Sequence, residues 1–261
     1  MKAKQFGRLG ALAAGGSTLA AVAYATYTGA TWYRYGRNKR QVRGDEADSL
    51  LDLYIPEYEV VERHQLAVTA PAEITFAAAC TADLSHSAVV RALFKLRKLA
   101  LSCYAQKDNP ALKNGKMADD KSESKELLAQ VKAIGWGVLA EIPGREIVLG
   151  AVTQPWITNP VFRTVSPEEF AAFGDPGYVK IVWTLRADPI GNQKSIARTE
   201  TRVITTDDFA RTKFRRYWSM VSPGTVLICK VLLRAVKTDA EHRARATQSA
   251  YETAEFGRYT G

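Results

Sequence analysis

From Tyr178 to Ala187 the chain alternates, with Val179, Ile181, Trp183, Leu185 and Ala187 on one side and Lys180 and Arg186 on the other. A period of two marks a strand buried on one face. Pro189-Ile190-Gly191-Asn192 turns the chain into a second alternating stretch, Ser195 to Thr205. Here Ala197, Thr199, Thr201 and Val203 share one face and Arg198, Glu200 and Arg202 the other. Upstream, Trp136–Ile142 and Arg145–Thr153 flank Pro143-Gly144 and read as a hairpin. The β-branched run from Glu59 to Thr69, bounded by Pro56 and Pro71, reads as a further strand. Together they predict an antiparallel meander with one buried face.

Helical spacing frames these strands. Ala70 as cap, Pro71 at the first helical position and Glu73 in the first turn predict a short helix to about Ala79. A second helix is expected from Ser87 to Leu101, a charged insertion from Ala105 to Ser124, and one more helix from Glu126 to Ile134. Ser166-Pro167-Glu168-Glu169 reads as a capped helical turn ending at Gly174. After Thr206-Asp207-Asp208, the residues Ala210, Phe214, Tyr217, Trp218 and Val221 share a helical face. Pro223 then either kinks this helix or starts a new one. The apolar stretch from Thr225 to Val236 carries Lys230 and Arg234, and with Lys237 these form one basic stripe expected to face solvent or lipid headgroups. The implied divisions are an anchor at 1–36, a polar linker at 37–52, a domain at 53–240 and a ragged polar tail at 241–261.

The amino terminus changes the picture. Leu9 to Tyr33 is 25 residues without a charge, long enough at ~1.5 Å per helical residue to cross a hydrocarbon core of ~30 Å. Trp32, Tyr33 and Tyr35 beside Arg34 and Arg37 form the aromatic and basic boundary found at headgroups. The competing reading is a cleaved signal peptide with Ala21-Val22-Ala23 as its small-residue site. The retained anchor is preferred. Three basic residues precede the segment and five follow it, which favours a single-pass protein with a cytoplasmic soluble domain. Of the net charge of +9, eight units lie in the first 43 residues, which contain no acid. The rest is nearly neutral, so no nucleic-acid partner is expected. Three cysteines in 261 residues exclude a disulfide framework.

The order of strand, two short helices, antiparallel strands and long final helix is that of the α+β helix-grip fold. The run His64-Gln65-Leu66-Ala67-Val68-Thr69-Ala70-Pro71-Ala72-Glu73-Ile74-Thr75-Phe76 resembles the opening of the SRPBCC superfamily, which includes START, Bet v 1 and polyketide cyclase-like proteins. Arg145 to Val152, Thr199-Glu200-Thr201-Arg202-Val203 and Phe214-Arg215-Arg216-Tyr217-Trp218 are similar to segments of uncharacterised bacterial members, which makes a bacterial inner membrane the expected location. The resemblance spans roughly Val60 to Ala240 and its motifs are structural, so it implies fold rather than activity. It implies a curved sheet wrapped around the last helix and enclosing a cavity.

The cavity lining is expected from Val179, Ile181, Trp183, Leu185, Ala197, Thr199, Thr201, Val203, Phe214, Tyr217 and Trp218, with the two threonines as its polar groups. His64, His86 and His242 have no metal spacing, and Cys80, Cys103 and Cys229 no zinc pattern. A Gly-rich phosphate loop and a nucleophile elbow are both lacking, so no cofactor or metal is expected. His64 reads as structural, with a role as acid, base or ligand the minor alternative. Glu200, between Arg198 and Arg202, is either an acid or base inside the cavity or part of a solvent-facing charge ladder. The ladder is preferred because desolvating three charges is costly. The function expected is a membrane-tethered binding domain for a small hydrophobic or lipid-like molecule. The alternatives are a cyclase, dehydratase or aromatase using the same cavity, and an interaction protein with a filled core.

Overall fold

The computed structural model describes residues 22–35, 47–84, 87–88, 90–93, 126–157 and 160–259. Helix α1 covers residues 22–34, and α2 (Ser49–Tyr54) opens on Asp48, whose carboxylate accepts from the Leu50 and Leu51 amides. There follow β1 (Val60–Val68), α3 (Ala72–Cys80), α4 (Leu127–Ala133), β2 (Gly137–Ile142), β3 (Glu146–Thr153), α5 (Pro167–Ala172), β4 (Val179–Pro189), β5 (Ser195–Thr205) and α6 (Asp208–Tyr259). The strands form one antiparallel sheet in the order β1-β5-β4-β3-β2. Gly144, at φ 73°, makes the tight hairpin turn between β2 and β3. A register shift between Val138 and Ala140 bends the edge strand β2. The fold is α+β and of the helix-grip kind, with α6 packed across the sheet over β1 and β5.

Alternation assigns the two faces. Leu185, Ala187 and Ala197 look toward α3 and α6, where they join Phe76, Leu232, Leu233 and Val236. At the other end of the same face, Val60, Val179 and Val203 pack with Phe214, Tyr217 and Trp218. The opposite face, with Val148, Val152 and Val182, is covered by Leu51 and Ile55 of α2 and its exit and by Phe170 of α5. Gly150 lies on that face because a Cβ there would meet the Leu139 side chain at 2.4 Å.

Four expectations change. The linker at 37–52 does not run to Asp52: residues 36–46 lie outside the described set, but from Asp48 the chain is folded, with Leu51 fully buried. The apolar Leu50-Leu51 pair and the Asp48 cap make a helix where the charged surroundings suggest none. The tail beyond Ala240 is helical to Tyr259, so α6 is a single element of 52 residues that passes through Pro223. Proline there removes only the donor to Ser219, and packing on both sides of it holds the helix together. Glu200 and Arg202 are buried beneath α2, neither in solvent nor between the sheet and α6.

The fourth change concerns the membrane helix. Residues 9–21 of the expected anchor lie outside the described residues, as do most of the helix expected from Ser87 to Leu101 and the insertion after it. Among the described residues, the one helix long and apolar enough to cross a membrane is α6, over Asp208–Ala250, and not the amino-terminal one. A core helix meets the same test, and α6 buries its Phe214, Trp218, Leu232 and Val236 against the protein. Helix α1 instead lies antiparallel along the first half of α6. The Tyr24 hydroxyl donates to the Met220 carbonyl at 2.7 Å, and the Arg215 guanidinium donates to the Trp32 carbonyl while stacking 4.2 Å from its ring centroid.

Candidate functional site

Between the two apolar clusters of the α6-facing surface lies a polar waist. On β1 the residues from one cluster to the other are Val60, Glu62, His64, Leu66 and Val68, and on β5 they are Val203, Thr201, Thr199 and Ala197. The register places Glu62 beside Thr201 and His64 beside Thr199. On β4, Trp183 is paired with Thr201 and Leu185 with Thr199. The Trp183 indole N–H donates to the Thr199 hydroxyl at 2.7 Å. A ring that needs a partner when buried thus finds it diagonally across the sheet, two residues along β5 from its register partner.

The roof of the waist belongs to α6. Phe214, Trp218, Ser222, Cys229 and Val236 recur at helical spacing and are all buried, so Ser222 and Cys229 occupy the stripe that faces the sheet. Burial first, and the charge of Glu62 second, push the Cys229 thiol up to about 12. It is therefore a protonated, unreactive thiol at neutral pH. Alternation with Val60 places Glu62 on the α6 side of β1.

Two polar atoms in this waist have no hydrogen-bond partner among the described residues. One is the hydroxyl oxygen of Ser222, which is 0% exposed, and the other is Nε2 of His64. The His64 Nε2 lies 3.6 Å from a Glu62 carboxylate oxygen, beyond hydrogen-bonding reach. An orphaned buried hydroxyl costs about 1–3 kcal/mol; among the described residues Thr28, Tyr58, Asp188 and Arg198 also hold a buried side-chain atom without a hydrogen bond, the last two as an ion pair at 2.7 Å.

The expected lining residues separate into three groups. Trp183, Thr199 and Thr201 line the waist, with Ile181 at its edge toward the aromatic cluster. Leu185 and Ala197 belong to the α3 cluster. Val179, Val203, Phe214, Tyr217 and Trp218 close around Tyr35 from the end of α1, whose ring lies 6.0 Å from Phe214 and whose hydroxyl donates to Glu59 at 2.9 Å. Burial, and then Glu59, raise the Tyr35 phenol far above its usual range. Glu62, Ser222 and Cys229 were missed as lining residues. For Ser222, the signal available in the sequence was a small polar residue on the apolar stripe of α6.

A second polar cluster fills the opposite face. Arg63 donates twice to Glu200, at 2.6 and 2.7 Å, and Arg202 donates to Glu200, Asp52 and the Ile55 carbonyl while stacking over Tyr58. Arg186 joins Asp48, Glu146 and Asp188. Asp48, Arg63, Thr184, Arg186, Arg198, Thr199 and Glu200 line a cavity of about 10 Å³, room for roughly one water. These charges are matched to one another, which makes the cluster structural.

No family model matches this chain. No curated protein matches it either. Solved structures that align with it include the di-domain ARO/CYC BexL from the BE-7585A biosynthetic pathway, at 13% identity over 70% of this chain and 46% of that one, with a TM-score of 0.28. The alignment thus spans less than half of BexL. The Zhui aromatase/cyclase from Streptomyces sp. R1128 aligns at 12% identity over 72% and 97% of the two chains, with a TM-score of 0.24. A START superfamily protein from Mycobacterium smegmatis aligns at 10% identity over 72% and 98%, also with a TM-score of 0.24. At these scores the likenesses carry no argument about activity, and the reading of the site rests on its own geometry.

Proposed function

We propose that this chain is a membrane-tethered binding domain that holds a small, mostly apolar molecule in the waist between the sheet and α6. The observation that carries the reading is the pair of polar atoms, on Ser222 and His64, that make no hydrogen bond among the described residues and are set between two apolar clusters. Small-molecule sites have this composition, apolar walls with a few placed polar groups. Thr199, held by Trp183, and Thr201 complete the floor. The tether is the uncharged segment from Leu9 to Tyr33, and the exposed Tyr24, Tyr27 and Tyr33 on the described part of it support that role. The excess of basic residues after it puts the domain on the cytoplasmic side. A second reading, an enzyme of the cyclase or dehydratase type, draws its support from the 3.6 Å approach of Glu62 to His64, a carboxylate and an imidazole on one wall.

The test is native mass spectrometry of the full chain purified in mild detergent. A small molecule should travel with the protein at near one per chain and be displaced by Thr201→Trp, which fills the floor. A wild-type chain that arrives empty and fails to take up any apolar probe would refute binding.

A further inference from the structure

The polar groups of the waist are unequal, and their inequality selects among ligands. Ser222 presents a hydroxyl, fully buried and without a hydrogen bond, from the roof; His64 presents from the floor a ring nitrogen that makes no hydrogen bond. Glu62, 3.6 Å from that nitrogen, adds a carboxylate to the same wall. No Lys or Arg lies on the waist-facing side of β1, β4 or β5 between the two apolar clusters, because Arg63, Arg198 and Arg202 alternate to the opposite face. An anionic ligand group entering here would meet a carboxylate and, from these strands, no Lys or Arg. It would have to be desolvated against a like charge.

Resting on the binding reading above, we infer that the waist selects a compact, uncharged molecule carrying a hydroxyl on an otherwise apolar frame, and that it rejects carboxylates, including fatty acids. A hydroxyl both donates and accepts, so it satisfies a ring nitrogen and a serine hydroxyl whichever of them holds the proton. A bare hydrocarbon leaves both orphaned. The apolar clusters on either side, ending in Leu66 and Ala197 at one end and Val60 and Val203 at the other, place the polar group near the middle of the bound molecule. A chain with a terminal headgroup does not match that arrangement.

Three probes of one shape separate the possibilities: 2-naphthol, naphthalene and 2-naphthoate. Binding to the full chain in mild detergent is measured by equilibrium dialysis against detergent alone, which removes the contribution of partition into micelles. The expected result is 2-naphthol bound at least about tenfold more tightly than either of the others, the worth of one well-placed hydrogen bond. Ser222→Ala and His64→Phe should each reduce that preference several-fold, while His64→Gln, which keeps a hydrogen-bonding side chain, should retain most of it. Near-ultraviolet circular dichroism identifies any variant that loses its fold, and Ser222→Cys replaces Ser222→Ala in that event. Equal binding of all three probes, tighter binding of 2-naphthoate, or a preference unchanged by both the serine and histidine variants overturns this selectivity and leaves the binding reading standing. Failure of all three probes to bind overturns both.

Discussion

Glu146 shows how a single residue couples the back of the sheet to pH. It is 3% exposed and shares Arg186 with Asp48, the cap of α2, which is 4% exposed. Burial first, and then the hydrogen-bonding contact with the Asp48 carboxylate and its charge, push the Glu146 carboxyl from 4.5 up to about 8. The folded state therefore holds a proton that the unfolded state releases between those values. Stability contributed by this group is complete below about pH 4.5, falls as pH rises through the window, and is lost above about 8. Urea denaturation at pH 5, 7 and 9 should show wild-type stability declining over this range and a flatter profile for Glu146→Gln; equal slopes would contradict the assignment. Alternation placed Glu200, Arg198 and Arg202 on one face from the sequence alone. It did not reveal Asp48, Asp52 or Arg63 as their neighbours, because these lie more than a hundred residues away.

At the scale of elements, α6 corrects the idea of a uniform basic stripe. Lys230 and Arg234 are exposed. Lys237 instead donates to the Ala67 carbonyl at 2.8 Å and pairs with Glu241, whose carboxylate accepts from the Thr69 amide at 2.9 Å. The two side chains satisfy backbone groups at the end of β1 and in the turn after it. Lys237→Gln should cost about 1 kcal/mol in chemical denaturation, whereas Lys230→Gln and Arg234→Gln should stay within about 0.5 kcal/mol. Equal costs at all three positions would show that the contact at the end of β1 carries no weight. Local chemistry was legible elsewhere. Ser166-Pro167-Glu168-Glu169 forms the expected cap, with the Ser166 hydroxyl accepting from the Glu169 amide and the Glu169 carboxylate accepting from the Ser166 amide. Helix α2 escaped notice because six residues give too little periodicity to read.

At the scale of the molecule, the amino-terminal helix and the domain are joined. Tyr35 enters the aromatic cluster of Phe214, Tyr217 and Trp218, and Arg215 holds Trp32 from outside. The carboxyl-terminal part of the proposed anchor, from Tyr24 to Trp32, therefore already lies against α6. Fractionation tests it: the full chain should remain in the membrane fraction through high-salt washing and be released by detergent. A mature chain beginning after Ala23 and recovered without detergent would replace the anchor with a cleaved leader.

What the sequence by itself determined here is whatever depends on neighbours a few residues apart: the period-two strands, the Pro-Gly turn, the capping box and the apolar stripe of α6. Tertiary structure alone decided what lies against each face. The register that sets His64 beside Thr199 joins strands separated by more than a hundred residues, and side-chain alternation is the same whichever strand is the partner. Both faces of the sheet carry polar groups, and only the packing of α2 on one side and α6 on the other made one a cluster of ion pairs and the other a waist with few charges between apolar walls. That distinction is a difference in desolvation and pairing, which belong to the assembled molecule and leave no periodic mark on the chain.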